Sequence, residues 1–336
     1  MSSALLVTAG GGIGDSLLAT VVAQALRQRF DRIDALALPG HRAALERVPD
    51  LDAVLLDAGE DPRALAAQLG ARNYDASVVT WATARTARLP ALANIPIRVG
   101  QARRLYSGRF TKRVFVRSEL GDVTSPWSDI LLDYARALGC DAPGAVPHFV
   151  PTAADRDAAD VLIAGLGGAF LIMHPTNAIA PQRGIWPTQA WSALARALAD
   201  RYDATVVVSG TQADAAIVDD IVRGASTPNR PPRVVSIAGA LEIGGFGALA
   251  ARAKAFVGIT TGAMHVAAAV GCPTVGIFPF QSDFPERWAP RGPRTAIVRA
   301  SYPCHRNDTK ENCPDYACIA NLNIPRIMTV TNDLLS

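Results

Sequence analysis

The sequence predicts an α/β protein of two doubly wound domains, and three observations carry that prediction. Strand-sized apolar runs alternate with helical stretches along most of the 336 residues, which is the pattern of βαβ units on a parallel sheet. The pattern lapses between Gly139 and Thr152, where Gly144 and three prolines mark a domain junction. Each half also begins with a strand that runs into a loop suited to a ligand. At 49% hydrophobic and 19% charged residues, the chain is globular and long enough for two cores.

In the first half, Ala4–Ala9 reads as a strand and Gly10-Gly11-Gly12-Ile13-Gly14-Asp15 as a glycine-rich turn. Ser16–Arg29 follows as a helix, its Leu17, Leu18, Val21, Val22, Ala25 and Leu26 forming an i, i+3/i+4 stripe. Strands are predicted at Ile33–Leu38, Ala53–Leu56 and Ala76–Thr80, with helices at Arg42–Val48 and Pro62–Leu69 between them. Arg98-Val99-Gly100 opens a basic, irregular stretch that runs to Lys112-Arg113, and Ser128–Leu138 is a helix. In the second half, strands at Ala169–Met173, Thr205–Ser209 and Val234–Ile237 alternate with helices at Thr188–Tyr202, Ala213–Gly224 and Gly245–Ala253. Phe256–Phe280 then reads as strand, tight turn at Thr260-Thr261-Gly262, helix and buried strand. The residues from 301 are irregular up to a closing Ile324–Leu335 segment. The expected domains are 1–150, 151–300 and a C-terminal tail 301–336 packing back toward the N-terminal domain.

Composition excludes several classes. A net charge of +3 is too mild to argue for nucleic acid. The apolar run in MSSALLVTAGGG has a strand's length and no basic segment before it, and no stretch approaches the ~18 apolar residues of a membrane span. The expectation is a soluble cytoplasmic protein. Five cysteines favour reduced thiols over a disulfide framework. The spacing of Cys304, Cys313 and Cys318 departs from paired C-x₂-C zinc patterns, and adjacent Cys304-His305 is awkward for one tetrahedral ion. No metal is expected, and no cofactor.

Four groups of residues carry candidate chemistry. The first turn resembles a dinucleotide-binding glycine loop, but its spacing is compressed and Asp15 at the helix start would repel a pyrophosphate. That carboxylate suits accepting a proton from a hydroxyl, or alternatively capping the helix. His174-Pro175-Thr176-Asn177 ends a strand, and Arg183 offers a bidentate fork to a diphosphate; Trp186 reads as packing on the next helix. Asp214 either reaches a ribose hydroxyl or caps the helix from Ala215. The Thr260-Thr261-Gly262 turn presents free N–H groups and a positive dipole end, as a phosphate cradle does. His265, in its helix, is either an N–H donor to phosphate or a satisfied structural residue.

Taken in order, these pieces resemble glycosyltransferase family 9, the heptosyltransferases of lipopolysaccharide core assembly. Gly12-Ile13-Gly14-Asp15 is similar to the family's N-terminal G-x-G-D loop and Arg98-Val99-Gly100 to its R-I-G step. His174-Pro175 through Arg183 and Trp186-Pro187 resembles its H-P-G…K-x-W-P signature, and Thr261-Gly262-Ala263-Met264-His265 its D-T-G-x-M-H. The tail cysteines resemble its C-terminal C-P-C…C-P…C. Thr260 stands where the family has Asp, Arg183 where it has Lys, and Thr176-Asn177 where Pro-Gly is usual.

The resemblance implies a GT-B architecture, two Rossmann-like domains facing a central cleft, and inverting, metal-independent transfer from a nucleotide sugar. It implies Asp15 as general base and Thr176, Arg183, Asp214, Thr260, Thr261, Gly262 and His265 as donor-binding residues. ADP-heptose is the favoured donor, and the acceptor is a saccharide or glycolipid of the cell envelope such as lipopolysaccharide core. Gly12, Gly14, Arg103 and Arg104 are expected on the acceptor side, with peripheral contact at the cytoplasmic face of the inner membrane; the basic set Arg103, Arg104, Arg109, Lys112 and Arg113 reads either as contacts to anionic acceptor or lipid groups or equally as solvated loop charge. Other expectations compatible with this plan are a nucleotide-sugar epimerase, a protein-modifying glycosyltransferase and a non-catalytic nucleotide binder.

Overall fold

A computed structural model describes residues 1–176, 186–227, 233–280, 284–300, 313 and 317–336. The chain divides into two compact units, Met1–Val150 and Pro151–Ser336.

The first unit runs β1 (Ser3–Val7), α1 (Ile13–Leu26), β2 (Arg32–Ala37), α2 (Arg42–Leu45), β3 (Ala53–Leu56), α3 (Pro62–Gly70), β4 (Ala76–Val79), α4 (Ala84–Leu92), β5 (Ile97–Gln101), β6 (Lys112–Val114) and α5 (Trp127–Arg136). Its strands form one parallel sheet in the order β3-β2-β1-β4-β5-β6. Successive residues of β1 point to opposite faces. Leu5 and Val7 join Leu65, Leu69 and Leu89 of α3 and α4, while Ala4 and Leu6 join the buried faces of α1 and α5. Helices on both faces explain why the strands read as continuous apolar runs rather than alternating ones.

One stretch differs from expectation. Arg98-Val99-Gly100 is not irregular but lies within β5, paired with both β4 and β6. A charged residue is tolerated there because the Arg98 guanidinium turns onto backbone carbonyls, donating to Ile95 O at 2.7 Å and Arg109 O at 2.8 Å.

The second unit runs α6 (Ala153–Ala164), β7 (Phe170–His174), α7 (Thr188–Tyr202), β8 (Thr205–Val208), α8 (Ala215–Ala225), β9 (Val234–Ser236), α9 (Ile243–Ala250), β10 (Phe256–Ile259), α10 (Gly262–Ala269), β11 (Thr274–Phe278), α11 (Pro285–Trp288), β12 (Thr295–Arg299), α12 (Ala317–Ala320) and α13 (Ile324–Leu335). The sheet is again parallel, ordered β12-β11-β10-β7-β8-β9. Read from their first strands, the two units share one strand order. That order reverses between β1 and β4 in the first and between β7 and β10 in the second, and ligands of open α/β sheets bind beyond the strand ends at such a reversal.

Of the segment expected to pack back toward the N-terminal domain, the described part packs inside the second unit. Ile327 of α13 is fully buried in the core built around Trp191, Leu194 and Leu198 of α7, and α13 also lies on β12. The apolar positions of α13 recur at helical spacing, so this face is committed to that core. Among the described residues no helix is long and apolar enough to cross a membrane.

Candidate active site

At the β1/β4 reversal, the chain leaves β1 through Thr8 and the glycines and enters α1 at Ile13. Gly12 is the N-cap in extended conformation and has no side chain to offer, so Asp15 reaches back and its Oδ2 accepts the Gly12 N–H at 2.7 Å. Asp15 therefore does cap its helix, but with one oxygen only; Oδ1 has no partner among the described residues. Burial pushes the carboxyl up from the ordinary Asp value, against the Gly12 N–H and nearby His41, which both favour the charged form. The result is a carboxylate more basic than a solvated one, with a lone pair free.

Beneath it lies a buried polar chain that sequence reasoning missed. Thr8 Oγ1 donates to Ser16 Oγ at 2.7 Å, and Ser16 Oγ lies 2.9 Å from His41 Nδ1. His41 is 6% exposed, and burial lowers its pKa while Asp15 opposes that shift. The chain fixes Ser16, the neighbour of Asp15 on α1, and so fixes the first turn that aims the carboxylate. No local pattern marks His41, because its role depends on the β1–β2 pairing that brings the two loops together.

Of the residues expected on the acceptor side, Gly12 carries the N–H that holds Asp15, and Gly14 sits in the first turn of α1. Gly11 has φ +65°, and a Cβ there would lie 2.7 Å from Asp15 Oδ2. Only glycine permits that approach. Arg103 and Arg104 are exposed; Arg104 pairs with Glu119, whereas Arg103 forms no ion pair among the described residues. The basic stretch is tied to the loop after β4, since Tyr106 Oη donates to Ala82 O at 2.6 Å.

The β7/β10 reversal gathers most of the other candidates. His174 ends β7, opposite Gly258 of β10, where a Cβ would lie 2.8 Å from the His174 carbonyl oxygen. Its Nδ1 is 2.9 Å from Ser209 Oγ, and burial holds its pKa down at about 4. Thr176 follows, 3% exposed. Arg183 lies outside the described residues. Trp186 packs as expected, edge-on against Trp191 at 5.3 Å.

After β10, Thr260 donates its N–H to Ile277 O at 3.1 Å, and Thr261 is the N-cap of α10. Thr261 does not cap with its side chain: its buried Oγ1 has no hydrogen-bond partner among the described residues. An orphaned hydroxyl at a helix N-terminus, beside the unpaired N–H groups of the first turn from Gly262, is where a bound oxyanion would be held. His265, in that turn, is 6% exposed and held at about pKa 4 by burial, and its ring makes no hydrogen bond among the described residues. It is neutral at pH 7, with one N–H to give.

Asp214 is the N-cap residue of α8 but makes no side-chain cap there; its Oδ2 instead accepts from Thr211 N at 2.7 Å and Thr211 Oγ1 at 2.6 Å, closing the turn before that helix. Oδ1 has no partner among the described residues, so the turn does not consume the carboxylate. Among the described residues no cluster of His, Cys, Asp and Glu has a metal-holding arrangement; Cys304 and His305 lie outside them.

The profile of glycosyltransferase family 9 (heptosyltransferase) matches residues 62–316. Lipopolysaccharide heptosyltransferase 3 of Escherichia coli is 26% identical over 285 residues, 79% of this chain and 80% of that protein. Two solved structures share the fold. The E. coli ADP-heptose lps heptosyltransferase II superposes with a TM-score of 0.80 at 20% identity, covering 100% of this chain and 98% of that one. The E. coli heptosyltransferase WaaC with ADP gives 0.73 at 16% identity, covering 99% of each chain.

Proposed function

The chain belongs to glycosyltransferase family 9, and from that premise we propose that it moves a heptose from ADP-heptose to a saccharide of the lipopolysaccharide core, with inversion. The observation that carries this reading is Asp15, a half-buried carboxylate of raised pKa with one oxygen held and one free at the switch point of its sheet. Asp15 Oδ1 takes the proton of the acceptor hydroxyl as its oxygen attacks the anomeric carbon. The bond from that carbon to the diphosphate oxygen breaks, and the electron pair leaves with ADP. A single displacement of this kind inverts the anomeric centre. Charge gathers on the departing diphosphate, where the α10 N-terminus, the Thr261 hydroxyl and the His265 N–H are suited to receive it. Asp214 Oδ1 suits a ribose hydroxyl, and Arg183 a phosphate.

The names of two relatives support the donor: one is an ADP-heptose transferase and another was solved with ADP. The acceptor reading places this chain at the cytoplasmic face of the inner membrane, where exposed Arg103, Arg109, Lys112 and Arg113 would meet anionic groups. The test is a mass-spectrometric screen of nucleotide sugars, with and without EDTA. Turnover of ADP-heptose that survives EDTA is expected. Turnover of a UDP- or GDP-sugar in its place would overturn the donor, and loss with EDTA would overturn metal independence.

A further inference from the structure

Trp81 lies just past the end of β4, the strand beside β1, and its indole covers the loop that carries Asp15. A Cβ on Gly10 would sit 1.9 Å from Trp81 Cδ1 and 2.3 Å from Nε1. A Cβ on Gly11 would sit 3.0 Å from Trp81 Cζ3 and 2.7 Å from Asp15 Oδ2. The five-membered ring therefore lies over Gly10 and the six-membered ring over Gly11, and one point in space neighbours both the ring edge and the carboxylate. The two glycines leave the room this requires. Asp15, Trp81 and Trp127, the first residue of α5, line one narrow recess.

A tryptophan that only fills a core is swallowed whole, as Trp191 is at 0% exposure. Trp81 instead is only partly buried, just beyond the C-terminal end of β4 and beside the loop that carries Asp15. Its indole N–H has no partner among the described residues. A sugar ring has an apolar C–H face and a rim of hydroxyls. An aromatic face packs against the first and leaves the second free for a carboxylate.

We propose that Trp81 is the stacking platform for the acceptor sugar, presenting one rim hydroxyl to Asp15 Oδ1 and so selecting which hydroxyl is glycosylated. This rests on the transferase reading above and adds the subsite that reading lacks. The basic stretch anchored through Tyr106 to Ala82, the residue after Trp81, lies next to this platform in the chain's own hydrogen bonding.

The test uses the full chain, ADP-heptose and a panel of methyl glycosides of glucose, galactose, mannose and L-glycero-D-manno-heptose. Saturation-transfer NMR on the wild type is expected to mark ring C–H protons of at least one glycoside. Trp81→Leu, which keeps bulk but not the flat face, is expected to lose that signal and to raise the acceptor KM about tenfold, with a smaller change in kcat. Trp81→Phe keeps a face and is expected to stay within about threefold of wild type. The ADP-induced thermal shift should be the same in all three proteins. An unchanged acceptor KM in Trp81→Leu would overturn the platform, as would a fall in kcat without a KM change in both variants, the mark of a ring that merely props the glycine loop. A wild type that turns over donor yet shows no transfer to any glycoside would also overturn it. A wild type that neither binds ADP nor turns over a donor sinks the transferase reading instead.

Discussion

Asp15 divides its two oxygens between two tasks, one closing the first turn of α1 and one left for the substrate. Asn keeps an oxygen for the Gly12 N–H but cannot take a proton. Asp15→Asn is therefore expected to lower transfer at least about 10²-fold while ADP still shifts the melting temperature. Transfer near the wild-type rate would leave Asp15 as a helix cap. Because burial raises this carboxyl, the acid limb of kcat/KM should fall above the ordinary Asp range and vanish in the Asn variant. Thr261 is the second telling residue. Its Oγ1 is buried without a partner among the described residues, so Thr261→Val removes no hydrogen bond seen there and should leave stability unchanged or raised. If the hydroxyl serves the donor, ADP affinity should drop by about two- to tenfold; calorimetric titration of both proteins decides it.

At the scale of elements, most of the fold is legible in the sequence. Thr188–Tyr202, Phe256–Ile259, Thr274–Phe278 and Ile324–Leu335 fall where periodicity puts them. Others are not visible there. Helix α4 contains Pro90 and is not among the expected helices, and its Arg85 is held by Asp57 from beyond β3 at 2.6 Å, a contact no local window contains. Helix α6 is mostly exposed, and only the Thr152–Asp155 capping box announces it. Strands β5 and β6 carry arginines and a lysine, and they become strands because neighbours pair with them. The glycine loop is where element and residue meet. Gly11→Ala puts a side chain at φ +65° and against Asp15 Oδ2, so it should cost about 1–3 kcal/mol in urea unfolding and lower kcat as the carboxylate is displaced. A stable, fully active variant would contradict this account of the loop.

Across the molecule, the two units carry one strand order with different chemistry at the reversal. The second unit holds two histidines whose pKa is lowered by desolvation, His265 buried and His174 partly so. His174 and His265 titrate at about 4 when folded and near 6.5 when unfolded. Between those values the unfolded chain binds more protons, so stability is complete above pH 6.5 and falls as the pH drops toward 4. Urea unfolding at pH 7 and pH 5 should show that loss, and His265→Gln should reduce the slope; a slope identical in the two proteins would contradict it. ADP at 100 times its Kd is expected to add about 2.7 kcal/mol.

The sequence by itself determined the α/β class, the junction near residue 150, the glycine-Asp turn and the Thr-Thr-Gly turn, because each is written in neighbouring residues. The tertiary structure alone decided which loops share a reversal. It set Trp81 over Gly10 and Gly11, and His41 against Ser16, and it placed Gly258 opposite His174. Parallel strands must pair across long crossovers, and hydrophobic periodicity specifies a strand's faces but not its neighbour. A site assembled from the ends of paired strands therefore becomes visible only once the sheet has closed.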